Sequence, residues 1–154
     1  MKAVIQRATE ARVWVDGAIV GEIGPGLVVL VAAGREDTPD SAARMADRIW
    51  GMRIFNDLQG KMNLTLRDCE SLEPAIGSER SNVLVVSNFT IYGDTTQRRP
   101  SFGASASFDQ GRELYEVLVE SLNQIGARVA TGVFGADMSV EIVNDGPVTL
   151  IAEV

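Results

Sequence analysis

Histidine is absent from this chain, and that absence removes much of hydrolytic chemistry. It rules out a Ser-His-Asp or Cys-His relay, an imidazole base titrating near neutrality and a His-containing zinc site. Cysteine is almost as scarce. Cys69 stands alone in a polar stretch with no partner for an internal disulfide, which fits a reducing compartment; its plain reading is an incidental residue, not a nucleophile. The longest apolar run, Leu27 to Ala33, is far too short to span a bilayer, and the amino terminus lacks the apolar region of a secretory signal. A cytoplasmic protein without membrane association is expected. Basic charge is in deficit: a net charge of -7 argues against coating long stretches of nucleic acid, which Lys and Arg drive by neutralising phosphates. Gripping one short end stays open. No internal repeat, linker or low-complexity segment interrupts the sequence.

What remains is 154 residues with 45% hydrophobic content, enough for one compact domain, 1–154, with a real core. Met1 to Ala8, Ala11 to Val15 and, after an Asp16-Gly17 turn, Ala18 to Ile23 read as strands opening an antiparallel sheet. Gly24-Pro25-Gly26 turns the chain into Leu27–Ala33, whose unbroken apolar character suggests a strand buried on both faces. Thr38-Pro39 signals a helix start, and the helix runs to about Gly51 with Ala42, Met45, Ala46, Ile49 and Trp50 on one face. A short hairpin follows, Arg53 to Phe55 returning over Lys61 to Leu64, and Arg67 to Ser81 reads as an unpatterned loop. Asn82 to Tyr92 reads as a second apolar strand whose far end turns polar and aromatic. A helix from about Ser107 to Ile125 carries Leu114, Val117, Leu118, Leu122 and Ile125 in one stripe. Arg128 to Thr131, Met138 to Val143 and Val148 to Ala152 complete the strands, giving an α+β fold of mixed, mostly antiparallel sheets.

Two polar clusters stand out from this frame: Ser87-Asn88-Phe89-Thr90 at a strand end, and Asn144 to Thr149 where two strand-like runs meet. In the second, Asp145-Gly146 alone would make a tight turn, yet Pro147 removes a backbone donor where the next strand should begin its ladder. A turn ending in an edge strand accounts for this; so does a site. Neither cluster is a general catalytic motif.

The two clusters do resemble one family. Ser87-Asn88-Phe89-Thr90-Ile91-Tyr92 is similar to the Ser-Gln-Phe-Thr-Leu-Tyr signature of D-aminoacyl-tRNA deacylases, and Asn144 to Thr149 resembles that family's Gly-Pro motif. Gln6-Arg7, Arg53-Ile54-Phe55, Gly60 to Leu64, Arg99-Pro100-Ser101-Phe102 and Thr131 to Met138 match in order and approximate spacing, so the resemblance covers essentially the whole chain. Two departures are visible. Asn88 replaces the usual Gln, and the segment 69–82 is longer than usual.

The resemblance implies a barrel-like core of β-sheet with packed helices, assembled as a homodimer in which Gly146 and Pro147 of one subunit enter the active site of the other. It implies hydrolysis of the ester joining a D-amino acid to the 3′ acceptor end of tRNA, with no metal and no cofactor. It assigns catalysis to Ser87, Asn88, Phe89 and Thr90, with backbone N–H groups near Phe89 and Thr90 as the oxyanion donors and the adenosine's 2′-hydroxyl assisting a water. An aminoacyl ester is already activated, so positioning and oxyanion stabilisation suffice without a side-chain base. A cis Gly146-Pro147 bond, also implied, would aim both carbonyls at the substrate's amino group and α-hydrogen and collide with an L side chain. Glycine has no side chain to reject, so Gly-tRNA is expected as a substrate. Phe134 and Met138 flank the terminal adenine by the same analogy; the plainer reading is that both are core. Two rivals stay in play: a non-catalytic dimer that binds tRNA ends, and the related deacylase of L-alanine mischarged on tRNA. Thr90 is not expected to be a nucleophile, because no base accompanies it and Lys61 sits in an exposed-looking turn.

Overall fold

The computed structural model describes residues 1–72 and 82–154. Strand β1 (Lys2–Val15) is the spine. Its second half pairs antiparallel with β2 (Ala18–Ile23), to which it is joined by a turn with positive φ at Asp16 and Gly17, and its first half pairs antiparallel with β3 (Gly26–Ala32). Along its other side runs β8 (Ser139–Glu153), also antiparallel. Two parallel pairings extend the sheet from β3 through β6 (Val83–Ser87) to β7 (Val129–Thr131). The path nearly closes on itself, since a Cβ on Gly21 of β2 would lie 2.3 Å from the Thr131 carbonyl oxygen of β7. Only glycine permits that approach.

Parallel neighbours need crossovers, and the helices supply them. Helix α1 (Pro39–Trp50) lies between β3 and β6, and α3 (Phe108–Gln124) between β6 and β7. Thr38 caps α1 by accepting from the Ser41 N–H while the Ser41 hydroxyl accepts from the Thr38 N–H. The predicted face of Ala42, Met45, Ala46, Ile49 and Trp50 is the buried one. In α3, Leu114, Leu118 and Leu122 are buried, with Val117 and Ile125 packed at the margin.

The apolar runs of β3 and β6 are unbroken because each serves two cores. Leu27, Val29 and Val31 together with Val83 and Val85 face the helices, where they meet Met45, Ile49, Leu118 and Leu122. The alternate residues Val28, Leu84 and Val86 face the other way, onto Ala11, Val13 and Ile23. With a side-chain period of two, a strand between two apolar layers has no position left for a polar residue.

Four expectations are corrected. Met1–Ala8 and Ala11–Val15 are one strand, not two. Part of the expected loop is a helix, α2 (Leu66–Leu72), capped reciprocally by Thr65, whose hydroxyl accepts from the Asp68 N–H, and Asp68, whose carboxylate accepts from the Thr65 N–H; the rest, 73–81, lies outside the described residues. The hairpin is smaller than its sequence suggests, β4 (Phe55–Asn56) with β5 (Met62–Leu64). The strand expected to reach Tyr92 stops at Ser87, and Phe89–Tyr92 form a single 3-10 turn. No helix among the described residues is long and apolar enough to cross a membrane.

Candidate active site

The end of β6 is shaped by where its ladder runs out. Ser87 stands opposite Val31 of β3, the Asn88 N–H still reaches the Val31 carbonyl at 2.8 Å, and the chain then winds up, the Ile91 N–H donating to the Asn88 carbonyl at 3.3 Å. The first amides of any helical turn have no acceptor within it. Here these are the N–H groups of Phe89 and Thr90, which find no acceptor among the described residues. The turn itself is well held. Gly93 N–H donates to the Thr90 carbonyl at 2.9 Å, the Ser105 hydroxyl to the Phe89 carbonyl at 3.1 Å, and the Phe89 ring stands edge-on to Phe102 with centroids 5.2 Å apart. Thr90 donates its hydroxyl to the Asn88 side-chain oxygen at 2.5 Å. That hydroxyl therefore faces an amide oxygen, not a base.

Ser87, Asn88 and Phe89 line a cavity of about 690 Å³, and so do Phe134 and Met138. Five of the eight residues singled out in the sequence thus share one space; Thr90 is exposed beside it. Two glycines fit the 132–138 segment to its place. A Cβ on Gly132 would meet the Met138 sulfur at 2.5 Å, and one on Gly135, where φ is +79°, would meet the Phe108 ring at 2.8 Å. Phe134 is edge-on to Phe108 at 5.3 Å and tilted against Tyr115 at 5.6 Å. The Tyr115 hydroxyl donates to the Val85 carbonyl at 2.9 Å, and burial pushes its pKa up to about 12, so it stays a neutral donor. Sequence reasoning missed Phe108, Gly111 and Tyr115 on this wall. Their i, i+3, i+7 spacing on α3 was the available signal.

Gly146 and Pro147 are not on the cavity lining of their own chain. They lie within β8, which is a single strand from Ser139 to Glu153 and not, as expected, two strands across a turn. Asn144 pairs with Ala8 and Thr149 with Gln6, so the residues between them stand as an outward excursion opposite Arg7. Asn144 closes its base: its side-chain oxygen accepts from the Val148 N–H at 2.8 Å and its amide donates to the Val148 carbonyl at 3.1 Å. The guanidinium of Arg7, 6% exposed, lies beneath, 2.9 Å from the Asp145 carboxylate and donating to the Ile54 carbonyl at 2.6 Å. The Gly146–Pro147 peptide is cis, and Gly146 has a φ of +128° that only glycine adopts readily. A Cβ there would lie 2.8 Å from the Val148 side chain, 2.9 Å from its N–H nitrogen and 3.3 Å from the Arg7 guanidinium. Both residues of the pair are exposed.

Behind the cavity, the amino-terminal ammonium of Met1 is 2.5 Å from the Asp37 carboxylate, which also accepts from the Gly34 N–H at 2.7 Å and the Tyr92 hydroxyl at 3.3 Å. Burial opposes ionisation of Asp37, but the ammonium and the Gly34 N–H outweigh it and hold its pKa below the ordinary carboxylate value. Among the described residues no three Asp, Glu or Cys side chains converge as a metal site would require.

Comparison with known proteins fits this geometry. The family model for D-Tyr-tRNA(Tyr) deacylase matches residues 4–153. D-aminoacyl-tRNA deacylases from Heliobacterium modesticaldum and Bacillus velezensis are 51% and 49% identical, each match covering 99% of this chain and 96% and 98% of those proteins. Among solved structures, one described as a c-Myc DNA unwinding element binding protein superposes with a TM-score of 0.88 at 33% identity, covering 100% of this chain and 99% of its own. A probable eukaryotic D-amino acid tRNA deacylase superposes at 0.81 over 99% of this chain and 98% of its own, and at 15% identity it speaks for the fold alone. With a family model spanning nearly every residue and relatives of such identity along their full length, this chain belongs to the D-aminoacyl-tRNA deacylase family.

Proposed function

We propose that this chain, as a D-aminoacyl-tRNA deacylase, performs its hydrolysis at the mouth of the Ser87–Phe134 cavity, with the unengaged N–H groups of Phe89 and Thr90 as the oxyanion donors. That pair of free amides beside an aromatic cavity is the observation that carries the reading. Water adds to the ester carbonyl, the charge developing on its oxygen is met by the two amides, and the C–O bond to the terminal adenosine breaks as the departing oxygen takes a proton. The neighbouring 2′-hydroxyl of the adenosine assists the water. Preorganised backbone dipoles reorient little as charge develops, which is why they serve where no histidine exists. Ser87 and Asn88 shape the floor, and Phe134 and Met138 flank the adenine.

Selectivity comes from a second copy of the chain. Gly146 carries no side chain and Pro147 no N–H, so an exposed excursion of this kind presents only carbonyls; inserted into the partner's cavity it receives the substrate's amino group and leaves no room for an L side chain. The excursion is absent from its own chain's cavity lining, and the outer edge of β8 carries exposed Val143, Leu150 and Ile151 without a neighbouring strand among the described residues. Both features support a homodimer. A single domain, 1–154, then supplies everything the reaction needs, acting in the cytoplasm where aminoacyl-tRNA is found. Deacylation of D-Tyr-, L-Tyr-, Gly- and L-Ala-tRNA tests this directly. D-Tyr- and Gly-tRNA should be hydrolysed and the two L esters spared; a preference for L-Ala-tRNA would favour the related deacylase, and binding without hydrolysis a non-catalytic tRNA-end binder.

A further inference from the structure

The cavity has a cationic neighbour that the reaction as described leaves unused. Arg112, exposed on α3, holds its guanidinium 5.0 Å from the centre of the Phe108 ring and 5.9 Å from that of Phe134, and both rings line the cavity. Among the described residues it has no counter-charge there. Asp109 and Glu116, one turn to either side, make no ion pair with it, and no acceptor among the described residues takes its N–H groups. By contrast Arg7, Arg12 and Arg44 each face a carboxylate. A guanidinium over aromatic rings keeps its donors in its own plane, where a phosphate can take two of them at once.

The electrostatics of the chain make such a cation useful. At a net charge of -7 the molecule as a whole repels a polyanion, so an RNA end must be held by cations at the point of contact. Arg35, Arg98 and Arg99 also have no acidic partner among the described residues, but none of them stacks on a ring of the cavity. Arg98 and Arg99 precede Phe102, which stands against Phe89, and Arg35 meets α3 through its backbone carbonyl, which accepts from the Gln110 amide, while its guanidinium lies toward Gly103. Arg112 alone of these lies over Phe134, the ring assigned to the adenine. A nucleoside resting on that ring carries its 5′-phosphate only a few bonds from the base, within the sweep of an arginine side chain.

We propose that Arg112 binds the phosphodiester joining the terminal adenosine to the preceding nucleotide, a contact to tRNA outside the reacting centre. This rests on the deacylase reading above, and two substrates separate the two ideas. D-Tyr-tRNA carries that phosphate; the D-tyrosyl ester of adenosine with a free 5′-hydroxyl does not. For Arg112→Gln the KM for D-Tyr-tRNA should rise about tenfold with kcat little changed, and the dependence of log kcat/KM on log salt should flatten by about one. Activity on the adenosine ester should stay within about twofold of wild type, and Arg112→Lys, which keeps the charge but loses the two in-plane donors, should recover only part of the loss on tRNA. Equal losses on both substrates would show that Arg112 merely supports the Phe108 and Phe134 rings, and no loss on tRNA would show that it is idle; either overturns the proposal while leaving the deacylase reading intact. A wild-type protein inactive on both substrates would overturn the reading and this contact with it.

Discussion

Thr90 is the residue that a search for a nucleophile would select, and its surroundings argue for another role. Its hydroxyl is spent on the Asn88 side-chain oxygen, an acceptor too weak to act as a base, while the backbone beneath it offers a free N–H. The two contributions are separable. Thr90→Ala removes the hydroxyl and keeps the N–H, so it should cost less than about tenfold in kcat, the size of one modest hydrogen bond. Phe89→Pro deletes an amide donor at the first position of the turn, where proline fits, and should cost roughly a hundredfold or more, in line with loss of an oxyanion contact. Phe89→Leu, which keeps the N–H and loses the ring, provides the comparison. An inert Thr90→Ala that still binds substrate, or a fully active Phe89→Pro, would reverse the assignment. Asn88, where the resembled signature has Gln, accepts this bond from Thr90 through its side-chain oxygen.

The elements that hold this turn were only partly legible in the sequence. The runs at β3, β6, α1 and α3 were plain because burial on a fixed period leaves an unmistakable apolar pattern, and the Thr38-Pro39 start is a local signal. Phe89 to Tyr92 was misread because its aromatic and β-branched residues favour strand by propensity, whereas the bridge from Asp94 to Ser101 and the Phe102 ring bend the chain into a 3-10 turn. Contacts of that kind come from distant residues and leave no periodic trace. The Thr65-x-x-Asp68 cap of α2, by contrast, was present to be read. Asp37 ties β1 to the start of α1, and its chemistry sets a pH window. Because its folded pKa lies below the ordinary 3.8, the folded state binds fewer protons than the unfolded chain there, so its contribution is complete above pH 3.8 and is lost as pH falls through the lowered value. Wild type should therefore melt above Asp37→Asn at neutral pH, with the gap closing in acid. A gap that stays constant from neutral pH down to about pH 3 would show that the carboxylate's charge is not what matters.

Assembly is where sequence, fold and chemistry have to meet, because Gly146 and Pro147 do not line the cavity of their own chain. Sedimentation should give twice the 16.6 kDa chain mass. A dimer mass alone would not show that the subunits share sites. Complementation does. Gly146→Ala puts a Cβ against Val148 and Arg7 at a φ that L side chains rarely adopt, and on the cross-subunit account it should abolish activity in its own homodimer; Phe89→Pro is aimed at the cavity and leaves the excursion's sequence intact. A mixed dimer of the two, isolated through a different tag on each chain, contains one site with both defects and one with neither if the excursion crosses between subunits. Its rate of D-Tyr-tRNA hydrolysis should then be about half that of the wild-type dimer, although each parent retains about a hundredth of that rate or less. A mixed dimer as inactive as its parents would mean that each chain builds its own site, contradicting the cross-subunit account.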